Sequence, residues 1–124
     1  MKKKALKCLY NPNFYIYNNY HMETIEAEMD GTTLKMLVKV ARLDASTVRG
    51  FQNDSQEIWN SKIDDVSADL SHVTFLDSSG VGALLSLYKR LPRSKREFKL
   101  RHVQKPVQAV IELLRLNRIF DVEA

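Results

Sequence analysis

The chain has 124 residues, of which 44% are hydrophobic and 27% are charged. This length and composition fit one globular domain and exclude a disordered or fibrous protein. Its single cysteine, Cys8, excludes an intrachain disulfide, and no cysteines and histidines have the spacing of a zinc site. We therefore expect a protein of the reducing cytoplasm.

The net charge of +4 is concentrated at the N-terminal end. Four of the 19 Lys and Arg residues lie in the first seven positions, and the other 15 balance the 15 acids. A balanced domain lacks the basic surface that nucleic acids require, so we expect no direct nucleic-acid binding. We expect that the lysines do not begin a signal peptide, because Asn11, Pro12 and Asn13 interrupt the apolar run. No stretch approaches the roughly 20 apolar residues that span a bilayer, so we expect no membrane insertion.

Residues 1–21 differ in composition from the rest of the chain. Four lysines are followed by NPNFYIYNNYHM, which is rich in asparagine and tyrosine. We predict an N-terminal extension over residues 1–21, flexible or not native, and one domain over residues 22–124. An alternative, in which the tyrosines of the extension add a strand to the domain, stays open.

Apolar periodicity predicts the elements of the domain in chain order. Alternation over residues 23–40 predicts two strands joined by a tight turn at Asp30-Gly31. Helical spacing predicts a helix from about Ala45 to Asn60. A buried strand then leads to Asp77, and the period changes to that of a helix ending near Pro92.

The C-terminal third continues the alternation of strands and helices. Phe98 and Leu100 predict a strand, and Pro106 suits the start of a helix with Val107, Val110, Ile111 and Leu114 on its apolar face. Residues 119–122 predict a short last strand. The order is β-β-α-β-α-β-α-β, which predicts an α/β domain with right-handed crossovers and an antiparallel hairpin at its start.

The segment FLDSSGVGALL, residues 75–85, places an acid and two serines between the buried strand and the next helix. Asp77 and Ser78 are of the residue types that cap helices, because their oxygens accept hydrogen bonds from free amides in the first turn. Gly80 and Gly82 are poor helix formers, but near a helix start they permit close approach of main chain or ligand. Periodicity alone therefore favours a helix cap.

Catalysis by this segment has less support than capping. It lacks the G-x-S-x-G turn of serine hydrolases, and neither His72 nor His102 is placed as a base. Gly80 and Gly82 also lack the further residues of phosphate-binding loops. A third interpretation stays open: a serine at a helix start is accessible to a separate kinase, and a phosphate is tolerated there.

Residues 69–91, DLSHVTFLDSSGVGALLSLYKRL, closely resemble the signature of the STAS domain, the family of sulfate-transporter and anti-sigma-factor-antagonist domains. Weaker similarity extends through Val40–Asp44 and Val107–Phe120, so roughly residues 23–122 are covered. The resemblance implies a small α/β fold with a mixed sheet of about four to five strands and three to four helices.

The resemblance also implies a function, an anti-sigma factor antagonist that switches partners in transcription regulation. In such proteins the unphosphorylated domain binds an anti-sigma factor that is a serine kinase, and the sigma factor is released. The kinase reverses this by phosphorylating the first serine of Asp-Ser-Ser-Gly, here Ser78, and a PP2C-type phosphatase restores it. The matching partner-binding residues are Asp44, Asp77, Ser78, Ser79 and Gly80.

Two departures from the family pattern concern the partner. Ala41-Arg42 stands where the family has Gly-Glu, which changes the charge of a loop expected beside Ser78. The glycine-containing turn before the fourth core strand is replaced by Pro92–Arg96, a basic connection that we interpret first as a solvated turn.

The resemblance leaves one further function open, a constitutive structural subunit of a lipid-transport or stress-sensing complex. With either function we expect no enzymatic activity, cofactor or metal, and a monomer or weak dimer. Nucleotide binding occurs in the family, but no motif of this chain indicates it.

Overall fold

A computed structural model describes residues 20–124, except the side chain of Lys95, and the predictions for residues 1–19 lie outside it. Over residues 20–124 the elements are, in chain order, β1 (Tyr20–His21), β2 (Ile25–Asp30), β3 (Thr33–Val38), β4 (Arg42–Leu43), α1 (Val48–Ile58), β5 (Asp65–Asp69), β6 (Phe75–Leu76), α2 (Ser78–Arg90), β7 (Glu97–Arg101), α3 (Lys105–Leu113) and β8 (Asp121–Val122). Short 3₁₀ helices, Arg93–Lys95 and Leu116–Arg118, precede β7 and β8.

The main sheet has the strand order β1-β2-β3-β5-β7-β8. β1, β2 and β3 pair antiparallel, whereas β3, β5, β7 and β8 pair parallel. The predicted α/β fold with a mixed sheet is thus confirmed, and its longer elements follow the predicted order. Of the strands that are two residues long, only β4 is absent from the sequence prediction. β6 is the end of the strand predicted to lead to Asp77, and β1, which contains Tyr20, corresponds to the alternative in which tyrosines of the extension add a strand.

The core lies on one face of the sheet, since all three crossovers proceed in the same direction and place their helices on that face. Alternate residues of β2, β3, β5 and β7 are buried there, and the opposite face is polar. The helices add buried side chains to the same core, namely Phe51 and Ile58 from α1, Val81, Leu84 and Leu87 from α2, and Val107 and Ile111 from α3. No helix within residues 20–124 has both the length and the apolarity to cross a membrane.

The strand predicted to lead to Asp77 is divided in two. β5 ends at Asp69, where the carboxylate Oδ1 accepts a 2.8 Å hydrogen bond from the Ser71 amide and closes a turn. The chain then leaves the main sheet, and β6 pairs parallel with β4 in a separate two-stranded sheet. Asp77 therefore follows this small sheet and not a strand of the main one.

Two helix predictions were wrong at their ends. α1 begins at Val48, because the Asp44 carbonyl accepts hydrogen bonds from the amides of Thr47 and Val48 and holds the preceding residues in a turn. α3 ends at Leu113, and Leu114 beyond it is 47% exposed, so the predicted apolar face is shorter by one residue.

Candidate functional site

The residues Asp77 to Gly80 form the start of α2. Asp77 is the N-cap, with extended backbone, and its Oδ1 atom accepts a 3.0 Å hydrogen bond from the Gly80 amide. Its carbonyl also accepts from the Val81 amide at 3.0 Å. The cap that the sequence predicted at this position is therefore present.

Ser78 is the first residue of α2 and is exposed, whereas Ser79 is half-buried and Gly80 is buried. The partial positive charge of a helix N-terminus comes from amides that lack intrahelical partners. The Ser78 hydroxyl is thus accessible from solvent at a place where negative charge is stabilised.

β4 brings a second loop beside the start of α2. Leu43 is paired with Leu76, and its carbonyl lies 3.4 Å from the Asp77 amide. Asp44 and Asp77 therefore follow paired residues and lie at one rim of the molecule. The five residues that the family resemblance assigns to the partner surface are brought together here, namely Asp44, Asp77, Ser78, Ser79 and Gly80.

The Asp44 carboxylate is fixed by hydrogen bonds within its own loop. Oδ1 accepts from the Ser46 amide at 3.0 Å and from the Ser46 hydroxyl at 2.7 Å, and Oδ2 lies 3.0 Å from Arg42 Nε. The hydrogen bond from the Ser46 side chain, together with Arg42, holds the pKa of Asp44 below its usual value. Asp44 is therefore an ionised group held in a defined position.

Sequence reasoning missed a contact at this rim between Arg42 and Phe75. Arg42 Cζ lies 4.0 Å from the centroid of the Phe75 ring, and the two residues are paired in the β4–β6 register. Phe75 was predicted as part of a buried strand, but 38% of its surface is exposed. The charge of Arg42 was visible in the sequence, whereas its position over an aromatic ring depends on the pairing of β4 with β6.

The histidines give Ser78 no base. Within residues 20–124, His102 Nδ1 lies 3.1 Å from Asp69 Oδ2, His72 Nδ1 lies 3.4 Å from Ser71 Oγ, and His21 Nδ1 lies 3.7 Å from Glu26 Oε2. A serine nucleophile needs a base within hydrogen-bond reach. The rim instead presents the exposed Ser78 beside the carboxylates of Asp77 and Asp44 and the guanidinium of Arg42, an arrangement suited to binding.

Comparison with known proteins identifies the family. The model of the STAS domain matches residues 24–124. Among solved structures, an anti-sigma factor antagonist from Mycobacterium paratuberculosis has a TM-score of 0.70 at 21% identity, with 81% of this chain and 84% of that chain covered.

Structures of SpoIIAA are also similar. The unphosphorylated anti-sigma factor antagonist SpoIIAA has a TM-score of 0.66 at 22% identity, with coverage of 81% of this chain and 87% of that chain. The phosphorylated Bacillus cell fate determinant SpoIIAA has a TM-score of 0.60 at 20% identity, with coverage of 81% and 90%. At these identities the likeness establishes the fold.

Proposed function

Because the chain belongs to the STAS domain family, we propose that it is an anti-sigma factor antagonist whose binding is switched by phosphorylation of Ser78. The unphosphorylated form binds an anti-sigma factor that is also a serine kinase, and the sigma factor is released. The kinase then phosphorylates Ser78 and the complex dissociates. A PP2C-type phosphatase returns the domain to its binding form.

The exposure of Ser78 is the observation that carries this proposal. Its hydroxyl lies on the first residue of α2, beside the Asp77 cap and the Asp44 loop, where a kinase can reach it. The fold is shared with SpoIIAA in both an unphosphorylated and a phosphorylated form, which supports a domain that tolerates such a modification.

The physical effect of the modification supports a switch in binding and not in folding. A phosphate adds about −1.5 to −2 charges at neutral pH. The α2 N-terminus stabilises this charge within the domain. An approaching surface must instead desolvate the phosphate next to the carboxylates of Asp77 and Asp44, which weakens a close interface.

The proposed role requires no catalysis by this chain. STAS domains of anti-sigma factor antagonists generally act by binding, and the chemistry belongs to the kinase and the phosphatase. The exposed Ser78 is accordingly a substrate of another enzyme. The neighbouring residues Asp44, Asp77 and Ser79 form the surface that the kinase recognises, and the buried Gly80 keeps the Leu43 main chain close to the start of α2.

The site assignment is tested by phosphorylation in vitro. The protein is incubated with ATP and an anti-sigma-factor serine kinase from the same genome, and the intact mass is measured. We expect a gain of one phosphoryl group that Ser78→Ala abolishes and that the matched variant Ser79→Ala retains. A Ser78→Ala protein that is phosphorylated to the same stoichiometry would contradict the assignment.

The switch itself is tested by binding. The kinase should bind wild type and Ser78→Ala but lose affinity for wild type phosphorylated at Ser78. If phosphorylated and unphosphorylated protein bind equally, the domain is better described as a constitutive subunit of a larger complex.

A further inference from the structure

The Arg42 guanidinium is held between an aromatic ring and a carboxylate at the rim that carries Ser78. Its Cζ atom lies 4.0 Å from the Phe75 ring centroid, and its Nε atom lies 3.0 Å from Asp44 Oδ2. A guanidinium over an aromatic face is attracted by the ring quadrupole, and the ion pair restrains the same group from the side. Arg42 is therefore pre-organised, although its side chain is 59% exposed.

Most of the free hydrogen-bonding capacity of this cluster belongs to Arg42. Both Asp44 oxygens already accept hydrogen bonds, from Ser46 and from Arg42. Within residues 20–124 the Arg42 guanidinium has no hydrogen bond or ion pair besides the one through Nε, so Nη1 and Nη2 keep their donors for a partner. The chemical group that this loop offers to a partner is thus a cationic, planar donor pair.

Phe75 gives the cluster an apolar component. Its ring is 38% exposed, and it precedes Asp77 and Ser78 by only two and three residues. Arginine and aromatic side chains are enriched at the centres of protein interfaces, where they contribute much of the affinity. Arg42 and Phe75 therefore have the composition of an interface centre and lie next to the proposed phosphorylation site.

On the basis of the proposed function, we propose that Arg42 determines which kinase this domain binds. The guanidinium, stacked on Phe75, pairs with an Asp or Glu side chain of that kinase. Two guanidinium N–H groups match the geometry of a carboxylate, which lysine does not reproduce. Asp44 and Phe75 act as positioning residues for the guanidinium.

The test measures the affinity of the partner kinase for charge variants. Wild type, Arg42→Glu, Arg42→Gln and Arg42→Lys are titrated against an anti-sigma-factor serine kinase of the same genome by isothermal calorimetry at low and high salt. We expect Arg42→Glu to weaken binding at least about 30-fold and Arg42→Gln about tenfold. Arg42→Lys should recover only part of the loss, and the differences should shrink at high salt.

Arg90→Glu is the matched control. Arg90 is also exposed and lies over an aromatic ring, with Cζ 5.8 Å from the Trp59 centroid, but it ends α2. The two substitutions change net charge equally, and the helix separates Arg90 from Ser78 by roughly 18 Å. Binding of Arg90→Glu should stay within threefold of wild type.

The outcomes separate this inference from the proposed function. The inference is overturned if Arg42→Glu and Arg42→Gln bind the kinase with the same affinity as wild type and Arg90→Glu. The proposed function stands in that case, because wild type still binds. If wild type binds no kinase, both are overturned. Recovery of Arg42→Glu binding by an acid-to-lysine change in the kinase would confirm the pairing. Circular dichroism establishes that each variant is folded.

Discussion

Gly80 lies directly against the main chain of Leu43, so that a Cβ atom at position 80 would overlap the Leu43 carbonyl oxygen. The same Cβ would lie 2.7 Å from Cδ1 of Leu76. The start of α2 and the end of β4 are therefore joined by close main-chain approach. This contact sets the distance between the Asp44 loop and Ser78, and it explains why a poor helix former occupies the first turn.

We expect Gly80→Ala to destabilise the domain by about 1–3 kcal/mol, because the main chain of Leu43 must move to admit the methyl group. Gly82→Ala is the control in the same helix. Apart from its chain neighbours and the main chain of α2, nothing lies within 4 Å of a Cβ at that position, and alanine is the better helix former. Gly82→Ala should be neutral or stabilising by up to about 1 kcal/mol. Urea unfolding measures both, and equal stabilities for the two variants would contradict the close contact.

The Asp77 side chain combines a structural and an electrostatic role that substitutions can separate. Asp77→Ala removes the acceptor of the Gly80 amide and should cost about 1 kcal/mol. Asp77→Asn keeps a capping oxygen without the charge, so its free energy of unfolding should stay close to that of wild type. Thermal unfolding compares the three proteins. If Asp77→Asn lost as much stability as Asp77→Ala, the charge of Asp77 and not its hydrogen bond would stabilise the helix start.

A negative charge at position 78 should leave the fold intact. In Ser78→Asp the carboxylate lies at the N-terminus of α2, where interaction with the helix dipole is worth about 0.3–1 kcal/mol. We therefore expect an unfolding midpoint equal to or slightly above that of Ser78→Ala, with the difference reduced in high salt. A marked destabilisation of Ser78→Asp would mean that phosphorylation acts through unfolding.

The features predicted correctly from the sequence are those encoded by neighbouring residues. Asp30-Gly31 predicted a tight hairpin, and Gly31 has a φ of 66°, a left-handed conformation that glycine adopts without strain. Asp77 predicted the cap of α2 because the capping oxygen and the amide it bonds are three residues apart. Local chemistry of this kind needs no knowledge of the fold.

The features that were missed depend on contacts between distant residues. Apolar residues recur from β5 to β6, and this pattern does not reveal that the chain changes sheets between the two strands. The pairing of Arg42 with Phe75 joins segments 33 residues apart, so the stacked guanidinium became visible only in the structure. Periodicity reports whether a residue faces the core, but it does not report which strand lies beside it.

The Asp69 carboxylate joins the ends of β5 and β7. It accepts a hydrogen bond from the Ser71 amide at 2.8 Å, and its Oδ2 atom lies 3.1 Å from His102 Nδ1. Burial raises the pKa of Asp69, but the hydrogen bonds from Ser71 and His102 outweigh that effect and hold the pKa below its usual value of 3.8. The folded state therefore releases the proton more readily than the unfolded chain does.

This difference gives Asp69 a defined contribution to acid stability. A carboxyl group with a lower pKa in the folded state stabilises the domain fully above its unfolded pKa and loses that contribution as the pH falls through the folded value. We expect Asp69→Asn to be less stable than wild type at about pH 5, with the gap narrowing below about pH 4. Urea midpoints measured across this range check the prediction. If the difference in urea midpoint between wild type and Asp69→Asn stayed constant with pH, Asp69 would act through hydrogen bonds that asparagine cannot reproduce, and not through its charge.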